Sequence, residues 1–165
     1  MKVWGGMVED DYCRAFADAL IGDEPFRHWV ITQTKFYGRR RSTLLFNEQA
    51  VRPAKDWWRH WWVKLPDGSE SETDIFLVFC DQADGTRFAL HVECKLGGGK
   101  FTPNQAAQYA MRGAFMKQNR WVPYNDFDTV LLAPKDFIQR FARDAETFGS
   151  TLTFEDTARW LHKFG

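Results

Sequence analysis

Asp74, Glu93 and Lys95 are two carboxylates and an ammonium carried by a stretch otherwise rich in strand-forming residues. Hard divalent cations take oxygen ligands, and an ammonium beside them could orient a water and relieve charge building on a phosphate. The three groups meet only if the chain folds back between them. Asp84-Gly85 supplies the reversal, because it is a favoured hairpin dipeptide between two β-rich runs, Glu72 to Cys80 and Thr86 to Lys95. With a two-residue turn, positions whose numbers sum to 169 face each other, so Asp74 stands opposite Lys95 and Phe76 opposite Glu93. Alternation then sends His91, Glu93 and Lys95 to the face that carries Asp74, and Phe88, Leu90, Val92 and Cys94 to the other, one face polar and one apolar. Asp74 and Glu93 become diagonal neighbours about 7 to 8 Å apart. A loop of odd length would change the parity and break the arrangement. Taken alone, the three residues fit an exposed cross-strand salt bridge worth under ~1 kcal/mol better than a catalytic site.

The elements that must hold this hairpin can be placed coarsely. Val8, Tyr12, Ala15, Phe16, Ala19 and Leu20 lie on one helical stripe that Gly22 ends. His28 to Thr34 is rich in β-branched residues and predicts a strand, followed by a basic loop from Lys35 to Ser42. Thr43 to Arg52 predicts a helix ending at Pro53, and Trp61 to Leu65 a strand with a turn at Pro66, Asp67 and Gly68. Beyond Gly97 to Gly99, Thr102 reads as an N-cap, Pro103 as the first helical residue and Gln105 as the close of a capping box, for a helix to about Gln118. Ala106, Ala107, Ala110, Gly113 and Ala114 would let that helix lie close against a sheet. Thr129 to Ala133 suits a buried strand, with helices near Lys135 to Phe148 and Phe154 to Lys163.

Asp74, followed nineteen residues later by Glu93-Cys94-Lys95, resembles the PD-(D/E)XK motif of the restriction-endonuclease-like nuclease superfamily. Ten residues past Lys95, Gln105-Ala106-Ala107-Gln108-Tyr109 resembles the Q-x-x-x-Y signature of one large branch. The element order from Val8 to Ala133 is similar to that family's core of helix, three antiparallel strands, helix and strand. The resemblance implies an α/β class with a restriction-endonuclease-like core: a central mixed β-sheet flanked by helices, in the order αβββαβ with extra C-terminal helices. It implies that Asp74 and Glu93, helped by the Cys94 main-chain carbonyl, hold Mg²⁺ or Mn²⁺. Lys95 becomes the water-orienting base or electrostatic stabiliser of a nuclease that hydrolyses DNA phosphodiesters through a metal-activated water. Glu9 supports the metal by the same likeness, with Asp10 and Asp11 as competitors and a solvated acid favoured by the helix dipole as the alternative. Gln105, Tyr109 and Arg112 share a helix face that the family turns toward nucleic acid; a capping box for Gln105 and half-buried packing for Tyr109 are the alternatives. Thr73 stands where the motif's proline would be.

Composition sets the remaining bounds. A chain of 165 residues, 44% hydrophobic, fits one domain over 1–165 without repeats or a long polar linker. Cys13, Cys80 and Cys94 are odd in number and lack C-x-x-C spacing, which predicts reduced thiols in a cytoplasmic protein. Met1 to Gly6 has no apolar leader core, and no stretch of ~18 apolar residues predicts a membrane span. Twenty-two basic and twenty-two acidic residues cancel, so no whole-molecule field draws the chain to nucleic acid. Arg27 to Lys64, however, carries nine basic residues against two acidic, which either marks a face for a polyanion or is solvated surface. His91 on the polar face is more readily a packed neighbour than a ligand, and Trp57, Trp58, Trp61 and Trp62 fit core packing better than base stacking. A nuclease-like fold kept as a silent binding module for nucleic acid or protein is the competing function; a homodimer or partner subunit is left open.

Overall fold

A computed structural model describes residues 8–161. The end of the last predicted helix at Lys163 and the Met1 to Gly6 segment lie outside them. The first helix, α1 (Glu9–Gly22), buries Tyr12, Phe16 and Leu20 as its spacing requires. The predicted strand from His28 to Thr34 is instead part of a second helix, α2 (Glu24–Thr32). Asp23 starts it by accepting the Phe26 N–H, Pro25 falls in its first turn, and Phe26, Val30 and Ile31 bury on one face. Burial of that stripe overrides the weak strand preference of its β-branched residues.

The predicted helix over Thr43 to Arg52 shortens to α3 (Phe46–Ala50) behind a two-residue strand, β1 (Thr43–Leu44). β2 (Trp61–Lys64) forms where expected but pairs only with β3 (Glu70–Thr73), as a separate antiparallel ribbon. The run read as one strand from Glu72 to Cys80 is broken at Asp74, and β4 (Ile75–Cys80) continues into the main sheet. β5 (Arg87–Cys94) and β6 (Asp126–Ala133) follow, then β7 (Ser150–Thr153), which periodicity did not reveal.

The five-stranded sheet runs β1-β4-β5-β6-β7. β4 and β5 pair antiparallel, β5–β6 and β6–β7 parallel, so the sheet is mixed. The β4–β5 register pairs Ile75 with Val92 and Phe76 with His91, a sum of 167 rather than 169. The turn is longer by two residues: Asp81 and Thr86 close it, and Gly85 takes φ +74°, which glycine adopts without strain. Two extra residues preserve parity, so the predicted alternation survives while Asp74 moves level with Glu93. Where β1 is too short to cover β4, the buried Gln49 amide bridges the Phe76 carbonyl (2.9 Å) and the Val78 N–H (2.8 Å).

Helices cover both faces. On one, α1, α2 and α7 (Phe154–Thr157) pack against Phe88, Leu90, Val92, Val130 and Leu132. On the other, α4 (Gln105–Phe115), α5 (Lys135–Arg140) and α6 (Ala142–Ala145) close over Leu131 and Ala133, and Phe76, Val78 and Ala89 lie beneath Met116, Val122 and Tyr124. The face expected to be polar is therefore covered and largely apolar. The single helix predicted over Lys135 to Phe148 is split at Phe141. Gly113 lets α4 approach β6: a Cβ there would sit 2.3 Å from the Phe127 ring. Among the described residues no helix is long and apolar enough to cross a membrane.

Candidate active site at the break between β3 and β4

Thr73 belongs to the ribbon and Ile75 to the main sheet, so the break turns Asp74 toward the end of β5. The Cys94 N–H donates to Asp74 Oδ2 at 2.9 Å. An extended residue sends its N–H and C=O to the same edge, so the Cys94 carbonyl also projects to the Asp74 side. The Cys94 side chain points away, under α1, where its hydrogen bond to Cys13 and burial push the thiol well above its ordinary range. Only the main chain of Cys94 faces the site.

Glu93, 3% exposed, is gripped on both oxygens. Lys95 Nζ lies 2.9 Å from Oε1, Gln105 Nε2 donates to Oε1 at 2.5 Å, and the Tyr109 hydroxyl donates to Oε2. Tyr109 also accepts the Asp74 N–H at 3.2 Å, tying α4 to the break. Gln105 satisfies both readings of its role: its Nε2 holds Glu93 while its Oε1 accepts the Thr102 N–H at 3.2 Å, half of the predicted capping box. The helix itself starts later than predicted, behind Asn104 in the left-handed region, so Thr102 is not its N-cap.

Arg112 departs from the sequence expectation. It is 1% exposed and lies behind the site, over the Tyr109 ring at 4.1 Å, where no exposed helix face can offer it to nucleic acid. Its Nε donates to Thr73 Oγ1 at 2.7 Å, Thr73 Oγ1 meets His91 Nδ1 at 2.8 Å, and His91 Nε2 meets the Tyr124 hydroxyl at 2.9 Å. Tyr124 donates to the Gly113 carbonyl at 2.5 Å, so it accepts from His91 Nε2–H, which leaves Nδ1 as the acceptor for the Thr73 hydroxyl. Burial and the Arg112 charge hold the imidazole well below its ordinary pKa, in keeping with one proton on the ring. His91 thus shares the sheet face of Glu93 but serves the interior. Thr73, His91 and Tyr124 as partners of Arg112 were not legible, since no local pattern links positions 18 to 39 residues apart.

Glu9 enters from α1 and lines, with Asp10, Glu72 and Asp74, a cleft of about 20 Å³. Burial first, then the neighbouring Glu93, raise the Glu9 pKa against the pull of Lys95. Asp74 is raised well above the usual carboxylate range by burial, then by Glu93 and Glu9. Asp10 pairs with Arg59 at 2.9 Å and is the less available acid. Of the tryptophans, Trp58 and Trp61 are core, Trp57 is half-buried, and Trp62 alone stands 60% exposed, across the ribbon from Glu72.

The donor set fits a divalent cation in a particular way. Among the described residues no three His, Cys, Asp or Glu side chains are placed together to hold a metal. Asp74, Glu93 and the Cys94 carbonyl make an open set of oxygen donors, which suits Mg²⁺ because it keeps several of its waters. The cleft has room for about one water or ion, and of these donors Asp74 alone lines it, with Glu9, Asp10, Glu72 and Arg59. Burial opposes the ionisation of Asp74 and Glu9, an environment that a cation would relieve.

That crowding has a measurable consequence. A carboxyl whose folded pKa is raised contributes stability that is fully present below its unfolded pKa, near ~3.9, and is lost as pH rises through the folded value. Asp74→Asn, assayed without divalent cations, is therefore expected to melt higher than wild type at pH 7, by about 2 to 4 °C for each kcal/mol relieved, with the gap closing toward pH 4. Equal melting temperatures at pH 7 would show that the carboxylates do not repel.

Comparison with known protein families, with characterised proteins and with solved structures gives no match to this chain.

Proposed function

We propose that this chain is a divalent-cation-dependent deoxyribonuclease of the PD-(D/E)XK kind, with Asp74, Glu93 and Lys95 at its centre. The observation that carries the reading is the convergence of Lys95, Gln105 and Tyr109, from a strand end and a separate helix, on the Glu93 carboxylate beside Asp74. A buried carboxylate needs hydrogen-bond partners in any case; what supports the reading is that these come from two separate elements and meet beside a second carboxylate. Asp74, Glu93 and the Cys94 carbonyl would hold Mg²⁺ or Mn²⁺, which supplies acidification of water and neutralisation of phosphoryl charge. Lys95, its side chain 14% exposed, offers an ammonium to the attacking water and to the phosphate as negative charge grows. Tyr109 and Gln105 fix the Glu93 rotamer, which keeps its oxygens oriented without reorganisation. DNA as substrate rests on the resemblance of the motif.

One observation favours the second reading, a silent nuclease-fold binding module. Both Glu93 oxygens already accept from protein donors, Oε1 from two and Oε2 from one, so an ion must share them. Labelled single- and double-stranded DNA incubated with Mg²⁺ or Mn²⁺ is expected to be cut, and chelation to stop the cutting. Calorimetric Mn²⁺ titration should show a heat that Asp74→Asn removes. Absence of both signals assigns the fold to the binding module.

A further inference from the structure

We propose a second site, independent of the carboxylate centre: the cavity between α2 and the Arg41–Thr43 segment binds a phosphate group. The cavity has a volume of about 410 Å³ and is lined by Glu24, Arg27, His28, Arg41, Ser42 and Thr43. Every lining side chain is polar or charged, so the site has no apolar wall on which a base or hydrocarbon could rest.

Its charge is unbalanced. Arg27 Nη1 is spent on the Leu20 carbonyl at 2.8 Å, its Nη2 is 3.9 Å from Glu24, and its buried Nε has no hydrogen-bond partner. Arg41 is exposed and makes no side-chain hydrogen bond or ion pair among the described residues. The one acid in the cavity, Glu24, keeps a side chain 69% exposed and stands 3.7 Å from His28 Nε2. Two guanidiniums against one solvated carboxylate leave a net positive hollow with donors to spare. A guanidinium fork matches the tetrahedral oxygens of phosphate in pairs, and the Thr43 hydroxyl at the rim adds a further donor. By contrast, Arg39 in the same basic run is consumed by Asp81 (2.6 Å) and Asp84 (3.0 Å) and has little to offer an anion.

The cavity and the carboxylates lie at opposite ends of one layer. The first turn of α1 carries Glu9 into the cleft, and its last turn leads through Asp23 into α2, whose Arg27 and His28 line the cavity. Fourteen residues at 1.5 Å separate the two by roughly 20 Å. β4 gives the same span independently, since Thr43 pairs with Cys80, six residues beyond Asp74, at about 3.3 Å each. That distance matches about six phosphates along one strand of a duplex at 3.4 Å rise, so a phosphate held here belongs either to a small phosphorylated molecule or to a strand whose other part reaches the cleft.

The experiment is titration calorimetry at low salt with inorganic phosphate, with dAMP and with a ten-nucleotide single-stranded DNA, on wild type, Arg41→Gln and Lys95→Ala. Arg41 is exposed and unpaired, so its replacement leaves the circular dichroism unchanged. The expected result is binding that Arg41→Gln weakens at least about tenfold, that added salt weakens, and that Lys95→Ala leaves in place. Heat with phosphate or dAMP identifies a free phosphorylated ligand; heat with the oligonucleotide alone identifies a strand. Absence of binding for all three probes, or binding indifferent to Arg41→Gln or abolished by Lys95→Ala, overturns the site. None of these outcomes depends on cleavage, so the nuclease assignment fails or stands separately.

Discussion

Lys95→Ala is expected to lower DNA cleavage by at least about 10²- to 10³-fold while leaving the circular dichroism of the protein unchanged. Among the described residues the ammonium is the one cation within ion-pair distance of Glu93, and it is only 14% exposed. Its loss leaves Glu93 with Gln105 and Tyr109 as donors, which is why the fold should persist. The aliphatic stem passes near Phe101, with Nζ 5.7 Å from the ring centroid, and its removal costs some packing at the site mouth. A single-turnover cleavage assay with wild type and variant at matched Mg²⁺ measures the effect. Equal rates would remove Lys95 from the chemistry and the proposed mechanism with it.

Arg112→Ala is expected to destabilise the fold by about 3 to 5 kcal/mol, read as a fall in melting temperature of roughly 10 °C or more. The guanidinium is buried behind two carboxylates, and burial lowers its pKa against the attraction of Tyr109, Glu93 and Asp74, yet arginine stays charged in proteins. Removing it takes a longer-range positive charge from behind Asp74 and Glu93, frees the Thr73 hydroxyl and opens a void beside Tyr109. Arg112→Met refills most of the volume without the charge. If electrostatics dominates, it melts nearly as low as the alanine variant; recovery to wild-type stability would place the contribution in packing instead. Arg112 Nη2, buried without a partner, marks the part of the network that contributes least.

How much of this was written in the sequence depends on the range of the interactions. The hairpin was legible because Asp84-Gly85 and the flanking strand formers act within a few residues of one another. Its register was off by two positions, yet the alternation held because a turn of four residues has the same parity as a turn of two. That parity keeps Glu93 on the sheet face of Phe76 and His91, and the break at Asp74 turns its carboxylate to the end of the same strand. Gln105 and Tyr109 were legible through their spacing of one helical turn, and both reach Glu93.

The errors share a cause. β-Branched residues at Val30, Ile31 and Thr32 argued for a strand, but the cap at Asp23 and the buried stripe decided for α2. Arg112 was placed on the Gln105 and Tyr109 face by spacing alone, and its burial follows from Thr73, which lies 39 residues away in sequence. The break at Asp74 was invisible because Glu72 to Cys80 reads as one strand. Pairing of Thr73 with Trp61 in the ribbon and of Ile75 with Val92 in the sheet divides it. Local pattern carried the identities at the site, and tertiary partners decided its geometry.

The line of hydrogen bonds from Arg112 through Thr73, His91 and Tyr124 to the Gly113 carbonyl has a direction: Arg112 only gives, the carbonyl only receives, and each of the three between gives one hydrogen and receives another. It also fixes the imidazole in one tautomer: a proton added at His91 would have to displace the Thr73 hydrogen from Nδ1 and would stand near the Arg112 charge. The interior behind Glu93 is thereby made for a neutral ring, and charging that ring would cost the line its Thr73 bond.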